Sequence, residues 1–218
     1  MMSAMAVRMS EGVRTGRPAD SDEESVPGDR KLLDALAKGE RWAADALYDT
    51  LYPSVARTLQ RVLNDPQRDY EDLVQTTFER ITIKLLGGSI AEVLSLRAWA
   101  SGVATHVALD YLRKKTRERR LAITERGSAP VLLTIAGEAS AERQIEARDQ
   151  LALIRDVLAS MKPDLAEAVL LHDMVGYDLR EVAAATETTV AAAQSRVVRG
   201  RKELLRRVEL RLGKGESR

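Results

Sequence analysis

Cysteine is absent from this 218-residue sequence and histidine occurs only twice, which narrows the chemistry that the chain can support. Without cysteine, disulfides and cysteine-ligated zinc or iron–sulfur sites are excluded, and a reducing cytoplasm fits. With only His106 and His172, we do not expect a histidine-rich metal site. The sequence also shows no nucleophile–base pair, phosphate loop or metal-ligand spacing. We therefore expect no enzyme, no metal and no cofactor.

Aromatic residues and long apolar runs are equally scarce. Aromatic residues make up 4% of the chain, whereas hydrophobic residues make up 44%. Ala, Leu, Arg and Glu dominate, a composition that favours helices over strands. No apolar run is long enough to span a bilayer, and the N-terminus lacks the apolar core of a signal peptide. The sequence thus predicts an all-α cytoplasmic protein without membrane insertion.

The net charge of +1 gives little information, but the charges are unevenly distributed. Basic residues cluster at 113–120 and 196–211, whereas acidic residues collect at 20–24 and 65–72. Because the two signs nearly balance, counterion release offers little net driving force for binding nucleic acid. We expect the free chain to bind duplex DNA poorly.

Hydrophobic periodicity predicts two small helical domains joined by a flexible linker. Glycine and proline punctuate this pattern, with Gly39 interrupting the first helix and Pro53 near a break or kink in the second. The predicted parts are a disordered N-terminal extension (1–29), a first domain (30–116), a linker (117–141), a second domain (142–210) and a tail (211–218).

The strongest local signal is a helix-turn-helix in the second domain. Asp178 and Glu181 have the spacing of a capping box, and Thr189 is suited to cap the helix that follows. That helix turns an apolar stripe inward: Val190, Ala193, Val197 and Gly200. Its opposite face is small and polar first and basic later, as in a helix that enters the major groove. A helical hairpin with a solvated basic face explains the periodicity equally well.

A second signal lies in the first domain. Trp99, His106, Asp110 and Arg113 follow one another along a helix at spacings of seven, four and three. Flat side chains and positive charge are what hold single-stranded bases. Taken alone, however, Trp99 fits an ordinary place in the core better than a place on the surface.

Three segments occur in a distinctive order and spacing: DLVQTTFERI (72–81), LRAWASGVATHVALDYLRKK (96–115) and LHDMVGYDLREVAAATETTVAAAQSRVVRGRKELL (171–205). In that order they resemble an extracytoplasmic-function (ECF) RNA polymerase sigma factor of the sigma-70 family. With the helices around them they cover residues 31–208. The resemblance implies a bacterial transcription initiation factor of two helical domains, active at the nucleoid as part of the polymerase holoenzyme.

The resemblance also implies which residues bind each partner. The first domain resembles region 2, whose core polymerase-binding residues would be Asp72, Leu73, Gln75 and Phe78. The loop Gly87–Leu96 and the following helix would bind the −10 element, with Trp99, His106, Asp110, Arg113 and Lys114 in contact with DNA. The second domain resembles region 4, whose −35 contacts would be Thr189, Ala192, Gln194, Ser195, Arg196 and Arg199.

The implied partners are core RNA polymerase, through its β′ clamp helices and β flap, promoter DNA and, as a further candidate, an anti-sigma factor. Five residues depart from the family pattern. Glu187 stands where the turn usually has glycine, and Thr186 stands at the preceding position, which is usually apolar. Gln194 stands where lysine is usual, and Ala192 in place of a polar residue. His106 stands where asparagine is common. Two alternatives therefore stay open: a degenerate sigma-like decoy and a stand-alone helix-turn-helix regulator.

Overall fold

The computed structural model of this chain describes residues 26–63, 69–87, 95–126 and 139–213. Within these ranges the chain is helical and contains no β-strand, which confirms the predicted all-α class. The N-terminal half comprises α1 (Val26–Ala37), α2 (Arg41–Leu63), α3 (Tyr70–Leu86) and α4 (Leu96–Arg126). The C-terminal half comprises α5 (Ala139–Ser160), α6 (Pro163–Val169), α7 (Leu179–Ala185) and α8 (Val190–Leu212). The segment Leu170–Val175 continues α6 as a π-helix.

The core of the N-terminal half lies between α2, α3 and α4. Apolar residues four positions apart form one face of α2, and all are buried: Leu47, Leu51, Val55 and Leu59. From the other two helices they meet Phe78, Ile81, Val103 and Val107. Such an apolar stripe drives a helix onto its neighbours because it removes apolar surface from water.

Of the break or kink expected near Pro53, the break is wrong, since α2 continues through Pro53 from Arg41 to Leu63. Proline lacks a backbone N–H and therefore frees the carbonyl group four residues earlier. Pro53 lies on the exposed side of α2, where water can satisfy that carbonyl group, while Leu51 and Val55 hold the buried side in place. Packing thus overrides the local preference. The interruption predicted at Gly39 is confirmed, with a φ angle of 71° in the turn between α1 and α2.

The ends of the two predicted irregular segments also differ from expectation. Residues 26–29 of the supposed extension form the start of α1, and the Oδ2 atom of Asp29 accepts a hydrogen bond from the backbone N–H of Leu96 at 2.9 Å. At the other end, residues 117–126 of the supposed linker continue α4, and residues 139–141 begin α5. The remaining residues of both segments lie outside the part that the structure describes.

In the C-terminal half, α8 crosses α6 at a glycine. A Cβ atom added at Gly200 would overlap the carbonyl oxygen of Leu165 and the side chain of Val169, so only glycine allows the two helices to approach this closely. Of the predicted inward stripe, Ala193, Val197 and Gly200 are buried. Val190 is not: it is the first residue of α8, and it is 45% exposed.

The two halves share one continuous set of buried residues. The side of α4 that faces away from α2 contacts α5, α7 and the segment from Pro163 to Val175. The sequence pattern predicts two small domains joined by a flexible linker, and the hydrophobic periodicity does not indicate this contact. The contact decides which of the predicted functional residues solvent can reach.

Candidate nucleic-acid interface

The helix-turn-helix begins with a complete capping box. The Oδ1 atom of Asp178 accepts hydrogen bonds from the backbone N–H groups of Arg180 at 2.7 Å and of Glu181 at 2.8 Å. In return, the Oε2 atom of Glu181 accepts from the N–H of Asp178 at 2.8 Å. These bonds satisfy donors that the first turn of α7 would otherwise leave unpaired. The predicted capping box is therefore confirmed.

The turn between α7 and α8 is left-handed at Glu187. Its φ angle of 49° makes it the one non-glycine residue with a positive φ in the part of the chain that the structure describes. A side chain in that conformation costs about 1 kcal/mol relative to glycine. The predicted cap of α8 is also present, since the Thr189 Oγ1 atom accepts a hydrogen bond from the N–H of Ala192 at 3.2 Å. Local sequence thus accounts for both ends of the turn.

The outer face of α8 is open to solvent near its start. Gln194, Ser195 and Arg199 are exposed, and Ala192 is partly buried. Arg196 differs from them, because its Nε atom lies 4.0 Å from the Oδ2 atom of Asp164, at the first turn of α6. Of the six residues predicted to bind the −35 element, Arg196 therefore lies at the border with α6 and already has a carboxylate nearby.

Carboxylates of the protein itself neutralise much of the basic cluster in the later part of α8. Arg201 forms an ion pair with Asp173. Glu203 accepts hydrogen bonds from Arg206 and Arg207, and these bonds lower its pKa to about 2. The positive charge that remains for a phosphate backbone is therefore smaller than the sequence count indicates.

The residues predicted to bind core polymerase divide into two pairs. Asp72 and Gln75 are exposed on α3, where Gln75 donates a hydrogen bond to Glu79 at 3.0 Å. Leu73 and Phe78 are buried, and the ring of Phe78 packs against that of Tyr48 at 4.6 Å between centroids. Only the first pair is available to another protein in this arrangement, because the second pair belongs to the core.

The residues predicted to bind the −10 element lie on α4, and three of the five contact the C-terminal half. Trp99 is 1% exposed, and its indole N–H donates to the Glu187 carboxylate at 3.0 Å. The Nε atom of Arg113 donates to the carbonyl oxygen of Ala159 at 3.3 Å. Asp110 and Lys114 are exposed. Their roles at DNA stay predictions. Of the five residues only Trp99 is buried, since His106 is exposed as well and Arg113 is partly buried.

The third contact joins His106 to Glu167. Its Nε2 atom lies 3.1 Å from the Oε1 atom of Glu167, whose side chain is 5% exposed. Burial raises the pKa of Glu167 to about 8, and burial lowers the pKa of His106. Both shifts favour the neutral forms, and the buried Oε1 atom of Glu167 has no hydrogen-bond partner within the described residues. The contact therefore does not depend on opposite charges.

Close to these contacts, small residues allow α4 to approach the C-terminal half. A Cβ atom added at Gly102 would overlap the carbonyl oxygen of Ala185 in α7. The neighbouring hydroxyl of Ser101 is hydrogen-bonded to that of Tyr177 at 2.7 Å. Ala98, Ser101, Gly102 and Thr105 recur at helical spacing and are all buried. This small-residue stripe is the one signal from which the contact could have been inferred.

The basic cluster after Arg113 takes part in the same contact. Asp156 of α5 accepts hydrogen bonds from Thr116 at 3.0 Å and from Arg119 at 2.8 Å. In the opposite direction, Arg155 donates to the carbonyl oxygen of Val62 at 2.7 Å. Arg119 thus contributes to holding the halves together, whereas the charge pattern alone suggests a residue for phosphate.

The described ranges contain neither a membrane-spanning helix nor a metal-binding cluster. None of these helices has the length and hydropathy that crossing a membrane requires. Within the same ranges, His, Asp and Glu side chains form no group of three that could hold a metal ion.

Comparison with known proteins was made for sequence and structure. The chain matches the family description "Sigma-70 region 2" over residues 47–118 and "Sigma-70, region 4" over residues 151–204. The "Probable RNA polymerase sigma-C factor" of Mycobacterium bovis is 29% identical over 185 residues, covering 85% of this chain and 92% of the relative. The "ECF RNA polymerase sigma factor SigE" of Mycolicibacterium smegmatis is 26% identical over 178 residues, covering 81% of this chain and 63% of the relative.

Two solved structures are also similar. One is described as CnrH in complex with the cytosolic domain of CnrY, with a TM-score of 0.47, 22% identity, and coverage of 84% of this chain and 97% of that one. The other is the sigma factor RpoE with the anti-sigma factor NepR from Bartonella quintana, with a TM-score of 0.38, 21% identity, and coverage of 72% of this chain and 91% of that one.

Proposed function

This chain belongs to the sigma-70 family and is a promoter-recognition sigma factor of the ECF group, and from that premise we propose how its two halves divide the work. Its family consists of transcription initiation factors that are not enzymes. The N-terminal half binds core RNA polymerase and the −10 element, and the C-terminal half binds the β flap and recognises the −35 element. The observation that carries the proposal is the capped α7, its left-handed turn and the exposed face of α8.

For the −35 element, the start of α8 enters the major groove. Gln194 and Ser195 are exposed there and present hydrogen-bonding groups to base edges. Glutamine can pair with the N6 and N7 atoms of adenine. Arg199 lies one turn further along and meets a phosphate group. This division resembles that of other recognition helices, whose later residues contact the DNA backbone.

For core polymerase, the exposed pair Asp72 and Gln75 on α3 binds the β′ clamp helices. Changing Asp72→Arg together with Gln75→Ala reverses one charge and removes one amide, and leaves the buried Leu73 and Phe78 intact. We expect this double variant to lose most of its affinity for core while its helicity stays unchanged. Asp34→Arg makes the same charge change at an exposed site of α1 and should bind core as the parent chain does.

For the −10 element, α4 and the loop before it capture an unstacked base. Flipping a base out of the stack costs a few kcal/mol, which a pocket must offset. Asp110 and Lys114 are already exposed, whereas Trp99 becomes available only if the C-terminal half moves away from α4. Exchanging the loop Gly87–Leu96 for that of a related factor should change the −10 preference and leave the −35 preference alone.

Transcription with purified core polymerase tests the proposed function. Core supplied with this chain should initiate from promoters selected out of a library randomised in both elements, and core alone should not. If no template supports initiation although the chain binds core, the degenerate decoy becomes the better description. Glu187, Ala192 and Gln194 are the departures that favour this second candidate. Specific operator binding without polymerase would instead support a stand-alone regulator.

The proposal also concerns where the chain acts and which protein inhibits it. The chain associates with the nucleoid when it is part of the holoenzyme, which fluorescence microscopy of a tagged chain would detect. An anti-sigma protein is its candidate inhibitor, and such a partner has to compete with core polymerase for the chain. A purified candidate that fails to displace the chain from core does not fill that role.

A further inference from the structure

We propose that Glu187 holds the two halves of the free chain together, and keeps the Trp99 face of α4 away from DNA until polymerase binding separates them. We call the contact of Glu187 with Trp99 and Lys84 the Glu187 latch. The inference rests on the proposed function, because it concerns when the −10 residues of a sigma factor become available.

The Glu187 latch joins three elements that are far apart in sequence. The Oε1 atom of Glu187 accepts hydrogen bonds from the Trp99 indole N–H at 3.0 Å and from the Lys84 ammonium group at 3.3 Å. Lys84 is 103 residues away from Glu187 along the chain, and its Nζ atom also lies 5.9 Å from the centre of the Trp99 ring. One carboxylate thus links α3, α4 and the turn before α8.

The carboxylate of Glu187 matters as an acceptor because the donor, Trp99, is buried. Trp99 is almost completely enclosed, and its indole nitrogen can only donate. A buried donor without an acceptor loses its hydrogen bond to water and gains nothing in return. The Glu187 carboxylate supplies the acceptor only while the C-terminal half covers α4. The closed arrangement and the satisfied indole therefore occur together.

The strained backbone of Glu187 also supports a role for its side chain in the contact between the halves. A left-handed residue in this turn favours glycine, because a Cβ atom crowds the backbone there. Glycine, however, would provide no acceptor for Trp99 and no negative charge for Lys84. The turn itself gains nothing from a glutamate, whereas the contact between the halves requires its side chain.

The surrounding contacts enlarge the covered surface. Gly102 packs against the carbonyl of Ala185, just before the turn, and Ser101 is bonded to Tyr177. Together with the latch, they place the turn of the helix-turn-helix against the face of α4 that carries Trp99. DNA cannot occupy the same space as that turn. Binding of the −10 element at Trp99 and the closed arrangement are therefore mutually exclusive.

Zero-length cross-linking tests whether the latch exists in the free chain. A carbodiimide joins an ammonium group and a carboxylate only where they touch, so it should link Lys84 to Glu187 as an amide. Mass spectrometry should find this cross-linked peptide pair. Lys84→Arg keeps the positive charge but cannot form the amide, and it is the matched control. Absence of the Lys84–Glu187 pair from the parent chain would overturn the proposal.

The amide bond between Lys84 and Glu187 should also hold the two halves in the closed arrangement. After cross-linking, the purified linked fraction should lose most promoter-dependent transcription with core polymerase, whereas Lys84→Arg treated identically should keep it. All other carboxylates and lysines react alike in both proteins, so the difference isolates one bond. Full activity of the linked fraction would mean that the halves need not separate, and the proposal would be wrong.

The affinity of the chain for core polymerase reports the free energy that is needed to separate its two halves. If only the open chain binds core productively, its apparent affinity falls by the fraction of chain that is open. The Glu187 side chain is itself half exposed, and its carboxylate accepts the bond from the enclosed indole of Trp99. Glu187→Ala removes this acceptor and should bind core about tenfold more tightly, as expected for one lost hydrogen bond to a charged group. Glu187→Gln keeps an acceptor oxygen and should stay within about twofold of the parent chain. Glu209→Ala removes an exposed glutamate of α8 and should have no effect.

The outcomes separate this inference from the proposed function. If Glu187→Ala binds core no more tightly than the parent chain, Glu187 does not hold the halves together, and the sigma-factor function is untouched. If the cross-link forms but no promoter supports transcription, the proposed function fails while the closed contact stands. Circular dichroism of each variant excludes unfolding as the cause of either result.

Discussion

The two helices assigned to DNA, α4 and α8, differ in access rather than in sequence character. Each carries polar residues followed by a basic cluster. In α8 the polar and basic face is open, with Gln194, Ser195 and Arg199 exposed. In α4, His106, Asp110 and Lys114 are exposed too, but Trp99 is 1% exposed, and Arg113 and Arg119 are hydrogen-bonded to the C-terminal half. A charge pattern therefore identifies a face of a helix without showing whether that face is free.

The physical cause of the difference is how many sides of each helix are packed. α8 crosses its neighbours along one stripe that includes Ala193, Val197 and Gly200, so its other side stays in water. α4 packs on α2 and α3 with one side and on the C-terminal half with another. Close packing on the second side is possible because α4 carries small residues there, such as Ser101 and Gly102. If this packing is correct, substitutions between α4 and α7 should affect stability more than substitutions on the open face of α8.

The largest effect is expected for Gly102→Ala. In an isolated helix this change should stabilise by about 1 kcal/mol, because alanine is the better helix former. In the closed chain the added methyl group meets the backbone of Ala185, which cannot move aside easily. We expect the free energy of unfolding to fall by about 3 kcal/mol in denaturant titrations. A stabilised Gly102→Ala variant would show that α4 and α7 are not in contact in solution.

Next in size is the pH dependence due to Glu167, whose pKa burial raises to about 8 from an ordinary value of 4.5. Between these two values the folded chain keeps a proton that the unfolded chain has lost, so stability falls as the pH rises. From pH 6.5 to 8 the loss should be about 2 kcal/mol. Below pH 6.5 the lowered pKa of His106 acts in the opposite direction, so the higher range isolates Glu167.

Glu167→Gln should remove this dependence, because an amide of nearly the same shape does not titrate. Unfolding free energies at pH 6.5, 7.2 and 8 provide the measurement, and Glu209→Gln at an exposed site is the control. Charged groups that face Glu167 are Arg196, Lys84, Asp164 and Glu187. Equal pH slopes for Glu167→Gln and the parent chain would mean that the carboxyl group is not buried between the halves.

A smaller effect is expected for Asp178→Ala, which removes the acceptor for two backbone donors of α7. The loss of an N-cap costs about 1 kcal/mol. Asp178→Asn keeps an acceptor oxygen and should restore most of the stability. Because α7 supports the face of α8, promoter binding should weaken in parallel with stability. A variant that loses promoter binding at unchanged stability would assign Asp178 a direct role at DNA.

The smallest effect on the fold is expected for Arg199→Ala, since Arg199 is exposed on α8. Stability should stay unchanged, and promoter binding should weaken equally for all −35 sequences. The salt dependence of binding should drop by about one unit, as expected for one lost phosphate contact. Gln194→Ala should instead change which −35 sequences are preferred. A shift in sequence preference for Arg199→Ala would place that residue at a base rather than at phosphate.

Local features were predictable from the sequence because they depend on residues a few positions apart. The capping box of Asp178 and Glu181, the left-handed turn at Glu187 and the cap at Thr189 are all present. Pro53 was the exception. Its local preference for a break yields to the packing of α2, which only the neighbouring helices supply.

The candidate site was predictable only in part. The pair Asp72 and Gln75 was implied by the resemblance to region 2, and the outer face of α8 followed from helical periodicity. Glu167 and Asp156, which pair with α4 across the halves, carried no comparable signal. Each partner looks like an ordinary surface carboxylate in its own segment. Their roles arise from contacts between residues tens of positions apart.

Composition, capping and segment order are properties of short stretches of chain, so the all-α class, the helix-turn-helix and the family could be read from the sequence alone. The two packed sides of α4, the burial of Trp99 and its hydrogen bond to Glu187 follow from the tertiary structure. The reason is physical: burial and long-range hydrogen bonds depend on which surfaces meet in space. Along the chain, Glu187 is a strained residue in a turn. In the folded protein, its carboxylate also bonds one half to the other.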